Sequence, residues 1–135
     1  MKKSKKKTIF ILEDDPDIGE LLEFNLVNTG YSVLLEKSGL KGFDRIKTNP
    51  PDLLLLDLNL PELSGFEICK YLRKNDQTSK LPIIVITARA SEMDRAACLE
   101  LGVDEYITKP FRIKEMLKKV KRYLEQAQVN QSMMI

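Results

Sequence analysis

Three apolar stretches of this chain, and a fourth strand-like one, each run into a residue that can handle charge. Leu53-Leu54-Leu55-Leu56 leads to Asp57, Thr8–Leu12 to Glu13 and Asp14, Leu81–Ile86 to Thr87, and Val103–Thr108 to Lys109. Carboxylates brought together repel unless a cation sits between them. Oxygen-only ligation with open positions suits Mg²⁺, which keeps waters and takes a phosphate oxygen. A threonine hydroxyl can bond that oxygen, and a lysine ammonium can meet it as a point charge. Together these residue types serve the handling of a phosphoryl group. The chain contains no His, so the usual general base and the commonest transition-metal ligand are missing. Any metal would have to be held by oxygen.

Taken singly, each residue has a plainer meaning. Asp57 reads equally as a solvated acid starting the loop that Pro61 and Gly65 impose. Thr87 reads as an ordinary strand-end hydroxyl and Lys109 as a solvated lysine. Their joint meaning depends on the elements that carry them.

The four leucines 53–56 form a run apolar on both faces, as in a strand at the centre of a parallel sheet. Thr8–Leu12 is the first strand and Tyr31–Glu36 the second; Leu81–Thr87 and Val103–Thr108 are the fourth and fifth. Between them lie helical patterns. Asp15 caps and Pro16 opens a helix closed by Gly30, with Ile18, Leu21, Leu22 and Leu26 at helical spacing. Gly19 inside it costs up to about 1 kcal/mol against Ala unless packing needs it. Ser38 caps a helix to about Thr48, with Leu40, Phe43 and Ile46 inward. Further helices run from about Gly65 to Asn75, from Ser91 to about Leu101, and from Phe111 to about Ala127; Gln128–Ile135 reads as frayed.

Strand and helix thus alternate five times. This specifies an α/β fold with a five-stranded parallel sheet, right-handed crossovers and helices on both faces. The flavodoxin-like order 2-1-3-4-5 fits that count. It makes the first and third strands neighbours, so Glu13 and Asp14 fall beside Asp57 at the switch point, where ligands bind in such sheets.

Composition narrows the function classes. With 135 residues, 43% hydrophobic and 31% charged, the chain fits one soluble globular domain. A net charge of +2 favours neither nucleic acid nor membrane. The basic start Met1–Lys7 is followed by too short an apolar run for export, and reads as a solvated tail. Cys69 and Cys98 lie in helical segments without metal spacing, as expected of reduced thiols in the cytoplasm. The expected division is a tail over 1–7, a domain over 8–127 and a second tail over 128–135.

The acid pair after the first strand, Asp57 after the third, Thr87-Ala88 after the fourth and Lys109-Pro110 after the fifth resemble the receiver domain of bacterial response regulators. Single-domain chemotaxis regulators are its simplest members. The resemblance covers about residues 8 to 126. It implies that Asp57 accepts a phosphoryl group from a partner histidine kinase or phosphotransfer protein. It implies Mg²⁺ on Glu13, Asp14, Asp57 and the backbone carbonyl of Asn59, with Lys109 paired to the phosphoryl group and a Lys109–Pro110 bond that is often cis. Thr87 would bond a phosphoryl oxygen, and Tyr106 would turn inward in response. Asn59 and Arg89 would flank the phosphoryl site and tune its lifetime. The domain would act on no substrate beyond its own phosphorylation and dephosphorylation.

The output surface would be the helix from Ser91, the strand carrying Tyr106 and the basic final helix with Arg112, Lys114, Lys118, Lys119, Lys121 and Arg122. It would meet a downstream protein target or a second receiver in a phosphorylation-dependent dimer. No membrane contact and no direct nucleic-acid binding are expected. No output domain follows, so the chain signals by direct contact or is a piece of a longer regulator.

Three other readings compete. A haloacid-dehalogenase-like phosphohydrolase also uses an Asp and Mg²⁺, but wants a second Asp where Asn59 stands. A nucleotide- or flavin-binding module wants glycines after the first strand, where this chain has Glu13-Asp14-Asp15-Pro16. A receiver-like adaptor that binds partners without phosphorylation would not need the full set of acids, Thr87 and Lys109.

Overall fold

A computed structural model describes residues 6–133. Most of the expected basic tail, and residues 134–135 of the expected second tail, lie outside them. Five strands, β1 (Thr8–Leu12), β2 (Ser32–Glu36), β3 (Leu53–Leu56), β4 (Ile83–Thr87) and β5 (Glu105–Thr108), alternate with five helices. These are α1 (Pro16–Thr29), α2 (Gly39–Thr48), α3 (Gly65–Lys74), α4 (Glu92–Glu100) and α5 (Ile113–Met133). Every pairing is parallel and the order is β2-β1-β3-β4-β5, as the alternation predicts.

Side chains alternate across the sheet, because successive Cβ atoms of a strand point to opposite faces. Phe10, Leu12, Leu54, Leu56, Ile83 and Val85 pack with Ile46, Ile68, Leu72 and Cys98, under α2, α3 and α4. Ile9, Ile11, Leu53, Leu55, Ile84 and Ile86 pack with Leu22, Leu26, Met116 and Val120, under α1 and α5. Leu53–Leu56 are at most 1% exposed, so both faces of β3 are covered. Full burial of one such side chain contributes roughly 1.5–3 kcal/mol.

Local chemistry fixes where the helices start. Asp15 Oδ1 accepts from the Asp17 and Ile18 amides, ahead of Pro16. Ser38, Ser64 and Ser91 hydroxyls each accept from the amide three residues on. Gly30 ends α1 at φ 111°. Gly19 has a packing reason: a Cβ there would lie 3.1 Å from Leu35 Cδ1.

The structure corrects several details. Leu21 and Leu40 are 48% and 47% exposed; each lies on the solvent side of its helix, while Leu22 of α1 and Ile46 of α2 are buried. β4 begins at Ile83 rather than Leu81, since Pro82 has no amide to donate to a ladder. β2 and β5 start one and two residues later than the sequence suggests. α5 begins at Ile113 and continues to Met133, so the stretch from Gln128 is helical; no Gly or Pro stops it. Cys69 and Cys98 are free and buried, and burial raises their thiols to about 12 and about 11.

Candidate phosphoacceptor and metal site

The register of β1 against β3 builds the site. Leu12 pairs with Leu56, and the Asp57 amide donates to the Leu12 carbonyl at 2.9 Å. Glu13 and Asp57 are therefore the next residues on adjoining strands. One carboxylate oxygen from each of Glu13, Asp14 and Asp57 lies within 4.8 Å of the other two. Glu13 and Asp57 are 2% and 5% exposed, while Asp14 faces solvent.

The fifth strand supplies the counter-charge. The Lys109 amide donates to the Thr87 carbonyl at 2.8 Å, and Lys109–Pro110 is cis. From there the ammonium reaches Glu13 Oε1 at 2.7 Å and Asp57 Oδ2 at 2.8 Å. Three carboxylates against one ammonium leave two negative charges in excess if all are ionised. That excess, on oxygen donors alone, fits a divalent ion such as Mg²⁺.

The two buried acids respond differently. Burial pushes the Glu13 carboxyl up to about 7 against the pull of Lys109, and the Asp57 charge adds to the push. Burial also pushes at Asp57, but bonds from Lys109 Nζ and the Asn59 amide outweigh it and hold the carboxyl below its usual range. Asp57 is thus the more readily ionised acid of the pair.

Gly65 closes the loop after β3 tightly. A Cβ there would stand 2.6 Å from the Asp57 carbonyl oxygen and 2.8 Å from Leu58 Cα. The α3 N-terminus packs directly on the strand end.

Thr87 is fully buried, and its Oγ1 accepts from the Arg89 amide at 3.3 Å. Tyr106 pairs with Val85 across β4 and β5 and is 4% exposed. Its inward ring packs in the core layer of α2 to α4, with its hydroxyl donating to the Arg89 carbonyl. Tyr106 is thus linked to Thr87 through one residue rather than touching the carboxylates. The Asn59 side-chain oxygen accepts from Arg89 Nη1 at 3.2 Å, while the Asn59 backbone N–H donates to Asp57 Oδ1 at 3.1 Å.

Sequence spacing gives neither Arg89 nor Asp94 a bonding role. Arg89 Nε and Nη2 donate to the two Asp94 carboxylate oxygens at 3.0 and 3.2 Å. The one signal in sequence was the place of Arg89 two residues beyond Thr87. A long side chain's direction is not readable from spacing.

Comparison with known proteins agrees with this geometry. The family model described as the response regulator receiver domain matches residues 9–121. The chain is 39% identical over 123 residues to the alkaline phosphatase synthesis transcriptional regulatory protein PhoP of Bacillus subtilis, covering 91% of this chain and 50% of that protein. It is 39% identical over 116 residues to the DNA-binding dual master transcriptional regulator RpaA of Synechocystis sp., covering 86% and 48%. The chain therefore spans about half the length of these curated relatives. Among solved structures, the receiver domain of the sensor histidine kinase PA1611 from Pseudomonas aeruginosa superposes with a TM-score of 0.82 at 30% identity, covering 90% of this chain and 99% of that one. That structure holds a magnesium ion coordinated in its active site cleft.

Proposed function

This chain belongs to the response regulator receiver domain family of two-component signalling, and from that membership we propose that Asp57 is its phosphoacceptor. The carrying observation is the Lys109 ammonium at 2.8 Å from Asp57 Oδ2, beside carboxylates converging within 4.8 Å. In the transfer, an Asp57 carboxylate oxygen attacks the phosphorus of a phosphohistidine on a histidine kinase or phosphotransfer protein. The new P–O bond forms as the P–N bond breaks, and the leaving imidazole nitrogen takes a proton from solvent water. Such transfers need positioning and charge neutralisation above all. Lys109 supplies positive charge at the oxygens, and Thr87 supplies a hydroxyl. Glu13, Asp14, Asp57 and the Asn59 carbonyl would hold Mg²⁺, which when bound neutralises charge on the phosphoryl oxygens. Apart from turning over its own aspartyl phosphate, the domain carries out no reaction.

Phosphorylation shifts a two-state equilibrium toward the form with Thr87 and Tyr106 drawn together. The face of α4, β5 and α5 then meets a downstream protein target or a second receiver. The curated relatives are named as transcriptional regulators, one of them DNA-binding. We assign no nucleic-acid contact to the receiver unit, placed at 8–127. Among the described residues no helix is long and apolar enough to cross a membrane, and we place the protein in the cytoplasm.

Mg²⁺-dependent labelling by acetyl phosphate tests the reading. Label is expected on the wild type and lost in Asp57→Ala; full labelling of that variant would move the nucleophile elsewhere. A pull-down with and without beryllofluoride tests the alternative, an adaptor that ignores phosphorylation. A partner captured equally in both would favour the adaptor.

A further inference from the structure

Arg89 is engaged on its main chain and its side chain in two different directions. Its amide donates to Thr87 Oγ1 and its carbonyl accepts from Tyr106. Its guanidinium instead spans the mouth of the site, stacked 5.5 Å from the Phe66 ring centroid. One edge grips both Asp94 oxygens, and the remaining nitrogen reaches Asn59 Oδ1. Asn59 in turn donates its amide to Asp57 Oδ1, and the Asp94 amide donates to the Ser91 cap. An unbroken line of hydrogen bonds runs from the phosphoacceptor to the first turn of α4.

We infer that Arg89 is a positioning residue that carries the state of Asp57 to the first turn of α4 through Asn59 and Asp94. This is a second line, separate from Thr87 and Tyr106, and it rests on the reading of Asp57 as phosphoacceptor. The Arg89–Asp94 pair adds little to stability, because the Arg89 side chain is 42% exposed and solvent screens the two charges. Its value is geometric. A planar guanidinium cannot turn toward one partner without leaving another. Three of its five N–H groups are committed to Asp94 and Asn59. Phosphoryl oxygens on Asp57 bring new acceptors beside Asn59, for which the guanidinium competes. Each step toward them lengthens both bonds to Asp94 and frees the α4 turn. The element with two arrangements is the segment from Ala88 to Ser91, which joins the site to the helix.

The test uses the full chain with Mg²⁺ and beryllofluoride, reading amide hydrogen exchange at Asp94 and Arg95 by NMR. In the wild type, exchange there speeds up when beryllofluoride binds. In Arg89→Ala it is fast beforehand and the ratio with and without beryllofluoride falls to one, while Tyr106 signals still respond. Asp94→Asn keeps the amide cap and behaves the same way, and the double variant matches either single one. A clamp that is merely structural would raise exchange in the variants yet leave the beryllofluoride response in place. That result, or a wild type that binds beryllofluoride without a change at Asp94 and Arg95, overturns the inference alone. A wild type that binds no beryllofluoride overturns the phosphoacceptor reading, and the inference with it.

Discussion

The Lys109 ammonium lies 2.8 Å from Asp57 Oδ2 across 52 residues of sequence. The same nitrogen is 2.7 Å from Glu13 Oε1, so one cation serves two acids. Lys109→Gln keeps much of the length and removes the charge. Metal-free stability at pH 8 should fall by about 1–3 kcal/mol, less than for a fully buried broken pair because water reaches the ammonium. Mg²⁺ should bind roughly tenfold tighter without the opposing charge. Denaturation in urea and calorimetric titration check the two, and weaker Mg²⁺ binding would contradict the electrostatic account.

Glu13 sets a pH dependence of the metal-free protein. Its carboxyl is raised by burial from 4.5 to about 7. Its stabilising contribution is therefore complete below pH 4.5 and disappears as pH rises through about 7. Asp57, held low, acts oppositely, losing its contribution only as pH falls below 3.8 toward its folded value. From pH 5 to 8 the Glu13 effect should dominate, lowering stability by about 1–3 kcal/mol. Urea midpoints with chelator present should be higher at pH 5 than at pH 8. Glu13→Gln should flatten the difference; an unchanged slope in that variant would place its origin in another group.

Gly65→Ala should disturb Asp57 without touching its charge. The added methyl meets backbone at 2.6 and 2.8 Å, and backbone cannot rotate away as a side chain can. A loss of about 1–3 kcal/mol follows, with slower acetyl phosphate labelling because Asp57 shares the displaced peptide. Wild-type stability together with a wild-type labelling rate would show that the loop yields freely.

Tyr106 separates ring from hydroxyl. Tyr106→Phe keeps the buried ring and loses the bond to the Arg89 carbonyl, at about 1 kcal/mol. Tyr106→Ala also empties the ring's place in the core, at roughly 3 kcal/mol or more. Unfolding curves that rank the two equally would mean that the ring is not a core group.

Much of this was legible in the sequence, for reasons particular to each element. The leucines of β3 announce burial on both faces, and Asp15-Pro16, Ser38 and Ser91 carry their capping chemistry in their side chains. Once the strand order is set, the place of Glu13 beside Asp57 is a matter of counting. What escaped was decided by tertiary packing. Leu21 and Leu40 belong to apolar patterns but fall on the outer edge of their helices. Nothing in sequence shows that Arg89 turns to Asn59 and Asp94, because four side-chain torsions lie between its backbone and its charge.

β5 sits at the rim of the sheet and, among the described residues, pairs with β4 alone. It carries Tyr106, and the chain leaving it carries Lys109. Rim strands detach in local fluctuations more readily than central ones. One such opening would strip the acids of their ammonium and the core of its aromatic ring in a single event. The same hydrogen bonds that hold the sheet's border thus keep the ammonium at the acids and the ring in the core together.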